Sequence, residues 1–294
     1  MTVPSIQVSP DWQELNLAEL SGVLLVVGAP DSGKSTFARY LFNGLRASGR
    51  RVAFIDGDPG QSTLGPPTTL TMTFKPDVLD EQSEGSMPVW RYFIGSITPQ
   101  GHMLPVLVGA ARLTEAALQN EAQVVIYDTS GLVEPRSGGL ALKNAKLDLL
   151  RPQTVIAIQR EGELESFLVP LRRSGRTRVF ELRPSRAVLR RDAEARRKYR
   201  ALQFASHFAK AQAIDFEWSR MAVFPYPDFR VHQLVAFEDL PGFTLGLGIV
   251  HSINRPGQRV RVLTPLRSLS GVIAMRLGDI LVNPDNFNDE RMIR

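Results

Sequence analysis

The stretch that most constrains this chain is Gly28–Ala29–Pro30–Asp31–Ser32–Gly33–Lys34–Ser35, which meets G-x-x-x-x-G-K-[ST] at every fixed position. Its surroundings matter as much as its letters. The continuous apolar run Val23–Leu24–Leu25–Val26–Val27 precedes it and predicts a buried parallel strand. Helical character follows from Ser35 to Ala47, and Ser48–Gly49–Arg50 stops it. A second apolar run, Arg51 to Ile55, completes a strand–helix–strand unit. In that context the loop's N–H groups converge on phosphate oxygens. Gly28, Asp31, Ser32, Gly33, Lys34, Ser35 and Thr36 are the candidate nucleotide-binding residues. Gly33 admits the phosphates to the backbone, Lys34 reaches the β- and γ-phosphates, and the Ser35 hydroxyl is placed to ligate Mg²⁺. The cofactors expected are ATP and Mg²⁺.

A triphosphate site also needs carboxylates. Arg51 to Ile55 runs into Asp56–Gly57–Asp58–Pro59–Gly60–Gln61, and Val124 to Tyr127 runs into Asp128–Thr129–Ser130–Gly131. The carboxyl ends of parallel strands line one crevice, so both clusters are expected to face the phosphate loop. An Asp before Gly or Pro is also an ordinary turn former, and that reading stands for either residue alone. Asp58 is our choice to accept a hydrogen bond from an attacking hydroxyl and align it. Ser35, Asp58 and Asp128 are the candidate metal ligands. Phosphoryl transfer asks chiefly for such positioning and for charge stabilisation.

Asp31–Ser32–Gly33–Lys34–Ser35–Thr36 followed by Asp56–Gly57–Asp58–Pro59–Gly60–Gln61–Ser62 resembles the polynucleotide 5′-hydroxyl kinase family of RNA processing. Tyr92–Phe93–Ile94–Gly95–Ser96–Ile97–Thr98–Pro99 is similar to that family's aromatic–Gly–Ser/Thr–Pro segment, and Asp128–Thr129–Ser130–Gly131–Leu132 to its phosphate-clasping loop. Arg190 to Arg200 is similar to its arginine-bearing lid. The likeness covers roughly residues 10 to 210. It implies transfer of the γ-phosphate of ATP to the 5′-OH end of a nucleic acid, RNA ahead of DNA. It further implies that Lys34 and Ser35 serve triphosphate and metal, and that Asp58 faces the 5′-hydroxyl. Asp56 and Gln61 would lie near the terminal nucleotide, and Thr129 and Ser130 would hold the adjoining phosphate. Eukaryotic members carry an N-terminal β domain, whereas only about 20 residues precede the first strand here. Leu132 stands where those members often place Trp, which leaves base stacking to other residues.

Arg186, Arg190, Arg191, Arg196, Arg197 and Arg200 fall in one Arg- and Ala-rich stretch, 183–210, that predicts a helix. Such a run is either a solvated face or a lid whose guanidinium groups close on the transferred phosphoryl group. Arg191 and Arg196 are the favoured catalytic pair, with Arg200 as a substrate contact. Arg172, Arg173, Arg176 and Arg178 form a second basic cluster, suited to a nucleic-acid backbone or to a solvated loop. The net charge of +5 and pI of about 9.7 suit a polyanionic partner. Only six of the basic residues are lysines: Lys34, Lys75, Lys143, Lys146, Lys198 and Lys210. Trp12 is either a hydrophobic anchor or a platform for adenine.

The chain has no Cys, which removes disulfides, thiolate metal sites and Cys nucleophiles. No apolar run reaches the ~18 residues of a membrane helix, and Met1 to Pro10 does not read as a signal peptide. A cytoplasmic location fits both. The main rival is a P-loop GTPase or ATPase switch of the metallochaperone or partitioning type, for which Asp128–Thr129–x–Gly131 is compatible. Against it, there is no N-K-x-D element, and His102, His207, His232 and His251 are scattered.

The expected fold is α/β: a P-loop NTPase parallel sheet flanked by helices, an arginine-bearing helical lid and a small β-rich C-terminal domain. The expected division is a kinase domain over 1–212, with its lid at about 183–210, and a β-rich domain over 213–294.

Overall fold

The structure, a computed structural model, describes residues 8–75, 88–185 and 187–292. Arg186 of the lid run and the acidic residues Asp77, Asp80, Glu81 and Glu84 lie outside the described residues. The chain runs α1 (Pro10–Gln13), β1 (Gly22–Gly28), α2 (Lys34–Ala47), β2 (Val52–Gly57), β3 (Thr69–Thr73) and β4 (Trp90–Phe93). It continues through α3 (Met103–Gln119), β5 (Val124–Thr129), α4 (Gly139–Leu150), β6 (Thr154–Ile158), α5 (Glu165–Ser174), β7 (Arg178–Leu182) and α6 (Ala193–Phe208). Seven further strands follow: β8 (Gln212–Glu217), β9 (Ala222–Phe224), β10 (Gln233–Glu238), β11 (Thr244–Asn254), β12 (Arg259–Thr264), β13 (Ala274–Val282) and β14 (Asp289–Arg291). The predicted α/β class with a β-rich C-terminal sheet is what the structure shows.

Two compact units divide the chain. The first comprises 1–58, 71–89 and 99–190; the second comprises 59–70, 90–98 and 191–294. This division differs from the one expected at 212/213. The whole of α6 goes with the second unit, because its Phe204 and Phe208 are buried in that unit's core. Two short segments from the first half of the sequence join it as well.

In the first unit the strand order β3-β2-β5-β1-β6-β7 carries parallel pairings from β2 through β7, while β3 runs antiparallel to β2. The apolar runs of β1, β5 and β6 are buried along their length, as strands covered on both faces must be. Trp12 is also buried, edge-on to Phe37 at 5.2 Å and tilted against Tyr40 at 5.4 Å. It is the anchor of the N-terminal segment and leaves no open face for a base. Helix α4 ends at Arg151 in the left-handed region, directly before Pro152.

In the second unit β14-β13-β10-β11-β12-β8 form an antiparallel sheet, and β9 adds to β13 in parallel. Alternation along β10 feeds two cores. Leu234 and Ala236 join Phe93, Phe204 and Phe208 on one face; Val235 and Phe237 join Phe216, Phe229 and Val260 on the other.

His207, next to that core, reaches the surface in part, but its Nε2 is sealed from water and has no hydrogen-bond partner. Burial, with the nearby Arg91 charge adding to it, pushes the imidazole from 6.5 down to about 3. The folded state therefore holds it neutral, while the unfolded chain protonates it near its ordinary value. Its contribution to stability is complete above 6.5 and is lost as pH falls toward 3. One proton of difference costs about 1.4 kcal/mol per pH unit in that window. Urea unfolding at pH 7 and pH 5 measures it: His207→Leu should flatten the acid limb by about 2 kcal/mol relative to the wild type.

Candidate active site of the first unit

Three adjacent strands end level with one another. Val26 of β1 is opposite Asp128 of β5, and Asp128 is opposite Asp56 of β2. The loop after β1 therefore leaves from the same edge as both carboxylate clusters. Gly33 sits at φ +87°, a conformation that L side chains rarely adopt, and opens α2 in place of a side-chain cap. The Lys34 side chain is buried and donates to the Ala29 carbonyl at 3.1 Å, which curls its ammonium over the loop. The Arg160 guanidinium, from the segment after β6, donates to the Asp31 carbonyl and braces the loop from outside.

The Gly131 backbone lies flat against Pro30, so a Cβ added there would stand 2.8 Å from the Pro30 nitrogen. The loops after β1 and β5 are thus in contact, and only glycine permits that approach. The Ser35 hydroxyl lies beside Asp128 and favours its charged form. Asp56 is buried and its Oδ1 accepts from the Asp58 N–H at 3.2 Å, which fixes the start of the Asp58 turn. Asp58, half-buried, acts electrostatically on Asp128, Tyr127, Lys143 and Lys146. Lys34, Ser35, Asp56, Asp58 and Asp128 are therefore brought together as expected. Thr36 is exposed on the first turn of α2.

Two lysines not predicted for the site are there. Lys143 and Lys146, one turn apart on α4, are both buried. Lys143 Nζ donates to the Ser130 carbonyl at 3.0 Å and to Thr129 Oγ1 at 3.3 Å. Lys146 Nζ stands 4.6 Å above the Tyr127 ring. Their signal in the sequence was a pair of lysines at i, i+3 just after the Thr–x–Gly loop, in a chain that otherwise favours Arg.

Burial dominates the titration of this cluster and pushes each group toward its neutral form. Asp128 is raised to about 7 by burial, which outweighs the Lys34 charge and the Ser35 hydroxyl that lower it. Lys146 is lowered to about 7 by burial against the opposing charges of Asp58 and Asp128. Lys143 falls well below its ordinary value, through burial and then the neighbouring charges of Lys146 and Lys34. Such displaced groups at a phosphate loop mark a site whose charges await an anion and a cation.

The residues fit a nucleotide with its metal. Ser32 Oγ and Asp128 Oδ1 are buried with no hydrogen-bond partner within the protein. The first is inside the phosphate loop and the second is next to Ser35, so phosphate and a hard cation would satisfy them. Among the described residues no group of three or more His, Cys, Asp or Glu is arranged to hold a metal. A cation here would take Ser35, a carboxylate and phosphate oxygens together.

Some predicted roles change. The Thr129 hydroxyl donates its one proton to the Val26 carbonyl at 2.8 Å and accepts from Lys143, so it is a strut between strands rather than a phosphate donor. In the second unit, Gln61 Nε2 donates to the Gly60 carbonyl. The predicted helix over 183–210 begins only at Ala193, because Asp192 caps it by accepting from the Ala195 N–H. Arg190 and Arg191 thus precede the helix, and the Arg191 guanidinium lies 5.5 Å over the Tyr199 ring. Arg196 occupies the first turns of α6.

Arg200 is engaged elsewhere. It makes a two-pronged pair with the buried Asp289, at 2.8 and 3.0 Å. Arg200→Met should lower unfolding free energy by about 3 kcal/mol, since Asp289 would be left buried and unpaired. Chemical denaturation reads the loss; unchanged stability with a weakened substrate KM would return Arg200 to the binding site. The second basic cluster is tied down too. Arg172 bridges Glu165 and Glu181, and Arg178 pairs with Glu19 at 3.0 Å.

Comparison with known proteins then decides the family. The model for the mRNA cleavage and polyadenylation factor CLP1 P-loop matches residues 28–210, more than half of the chain. The chain belongs to the CLP1 P-loop family. The resemblance read from its motifs is borne out. One relative, the polyribonucleotide 5′-hydroxyl-kinase of Thermococcus kodakarensis, is 30% identical over 89% of this chain and 88% of its own. The protein of the same name in Pyrococcus abyssi is also 30% identical, with the same two coverages. Among solved structures, a Clp1p–Pcf11p complex superposes with a TM-score of 0.70 at 15% identity, covering 90% of this chain and 75% of that one, which shows the shared fold. As a CLP1 P-loop protein, the chain uses a nucleotide. Among the described residues no helix is long and apolar enough to cross a membrane.

Proposed function

We propose that this protein is an ATP-dependent polynucleotide 5′-hydroxyl kinase that acts on RNA and uses Mg²⁺. The observation that carries the proposal is the meeting of Lys34, Asp58 and Asp128 at one strand edge, in a chain whose relatives are named polyribonucleotide 5′-hydroxyl-kinases. In this reading the terminal 5′-oxygen attacks the γ-phosphorus of ATP. A bond from that oxygen to phosphorus forms, the bond from phosphorus to the bridging β–γ oxygen breaks, and ADP leaves.

Lys34 holds the β- and γ-phosphates and stabilises the charge that develops between them. Ser35 and Asp128, with Asp58 at the edge, would hold Mg²⁺, which neutralises phosphate charge when bound. Asp58 accepts the hydrogen bond of the 5′-hydroxyl and keeps its lone pair in line with the γ-phosphorus. The hydroxyl proton passes to Asp58 and then to water. Ser130 and the main chain of its loop take the next phosphate.

The test offers γ-labelled ATP with 5′-hydroxyl RNA, 5′-hydroxyl DNA, 5′-phosphorylated RNA, or none. The kinase labels the 5′-hydroxyl ends, RNA ahead of DNA, and spares the phosphorylated ones. Nucleotide hydrolysis indifferent to every oligonucleotide would mark a switch instead.

A further inference from the structure

Lys143 raises a question that the kinase roles leave open. It is buried, and among the described residues no carboxylate lies within ion-pairing distance of its ammonium. Burying an amine with no carboxylate beside it costs free energy whichever form it takes, and an apolar side chain would fill the same helix face at less cost. Helix α4 has Leu142 and Leu150 buried without any charge. Packing alone does not account for Lys143, nor for Lys146 one turn on.

What Lys143 does touch is specific. Its ammonium spans the Ser130 carbonyl and the Thr129 hydroxyl, and that hydroxyl in turn donates to Val26, two residues before Gly28. The chain Lys143–Thr129–Val26 therefore ties the loop after β5 to the strand that launches the phosphate loop. On its other side the loop is pressed against Pro30 through Gly131. The loop is held at both ends, and on the α4 side the holding group is the Lys143 amine. Lys34, Lys146, Asp58 and Asp128 all act electrostatically on Lys143, so the amine belongs to the charge cluster at the carboxyl ends of the strands.

We propose that Lys143 is a positioning residue, assisted by Lys146, that fixes the Thr129–Ser130–Gly131 loop in the geometry that receives the first internucleotide phosphate. The inference rests on the kinase reading above and adds to it the group that selects a polynucleotide over a lone nucleoside. Lys143 reaches the substrate phosphate through the loop, leaving ATP to Lys34.

The test uses the full chain and two 5′-hydroxyl oligonucleotides, one ordinary and one with an uncharged methylphosphonate at the first linkage. Lys143→Met should raise KM for the ordinary oligonucleotide about tenfold, with KM for ATP changed by less than about twofold. The neutral linkage should cost the wild type about tenfold in kcat/KM and cost Lys143→Met nothing further. Lys143→Arg keeps the N–H donors to the loop, so it should keep the wild-type discrimination. Should Lys143→Met fail to fold, Thr129→Val removes the hydroxyl that Lys143 contacts and should shrink the discrimination about threefold. Equal discrimination in wild type and variants, or KM for ATP rising in step, overturns the inference. A wild type that labels no 5′-hydroxyl end at all defeats the kinase reading itself, so the two failures are distinguishable.

Discussion

Lys34→Ala is expected to cut phosphoryl transfer by on the order of 10³-fold or more, because the ammonium that meets developing charge is removed from a dry site. The side chain is buried and already curled onto the loop through Ala29. Truncation therefore leaves an empty channel rather than a rearranged lysine. ATP affinity should fall as well, since Lys34 binds ground-state phosphates too, so both kcat and KM for ATP move. Single-turnover transfer with saturating ATP separates the two. A variant within about tenfold of wild type in that assay would remove Lys34 from the chemistry.

Asp58→Asn should behave differently. The amide keeps the size of the carboxylate and the turn held by Asp56, but it no longer accepts a proton from the attacking hydroxyl. Loss of a positioned base costs about 10²–10⁴-fold in rate. Binding of an ATP analogue should stay within about threefold of wild type, because Lys34 and the loop are untouched. The comparison of transfer rate with analogue binding decides the role. Normal turnover would mean that another group aligns the hydroxyl, with Asp56 the nearest alternative.

Much of the first unit was legible because its signals are local. A continuous apolar run, a glycine-bearing loop and a helix follow one another within residues 23–47, and β2 and β5 repeat the pattern of a buried run ending in Asp. Parallel strands end on one side, so the meeting of Asp56 with Asp128 followed from topology alone.

What was missed depends on partners distant in sequence. Arg200 looked like its neighbours in an arginine run, and only Asp289, 89 positions on, reveals it as half of a buried pair. Helix α5 and strand β7 were hidden by Arg172, Arg173, Arg176 and Arg178, whose charges masked the few inward residues, Phe167 and Leu168. The segments 59–70 and 90–98 join the second unit through contacts no local pattern announces. Lys143 and Lys146 were visible as letters, but their burial was not, because lysine is ordinarily read as surface.

The most direct test of the central claim is the address of the transferred phosphate. RNA labelled from γ-labelled ATP is digested completely to nucleoside 3′-monophosphates, and the radioactive product is identified. Transfer in the pocket of Lys34 and Asp58 predicts that all label appears in a nucleoside 3′,5′-bisphosphate from the first position of the chain. Label released only as inorganic phosphate, or carried at internal or 3′ positions, would contradict it.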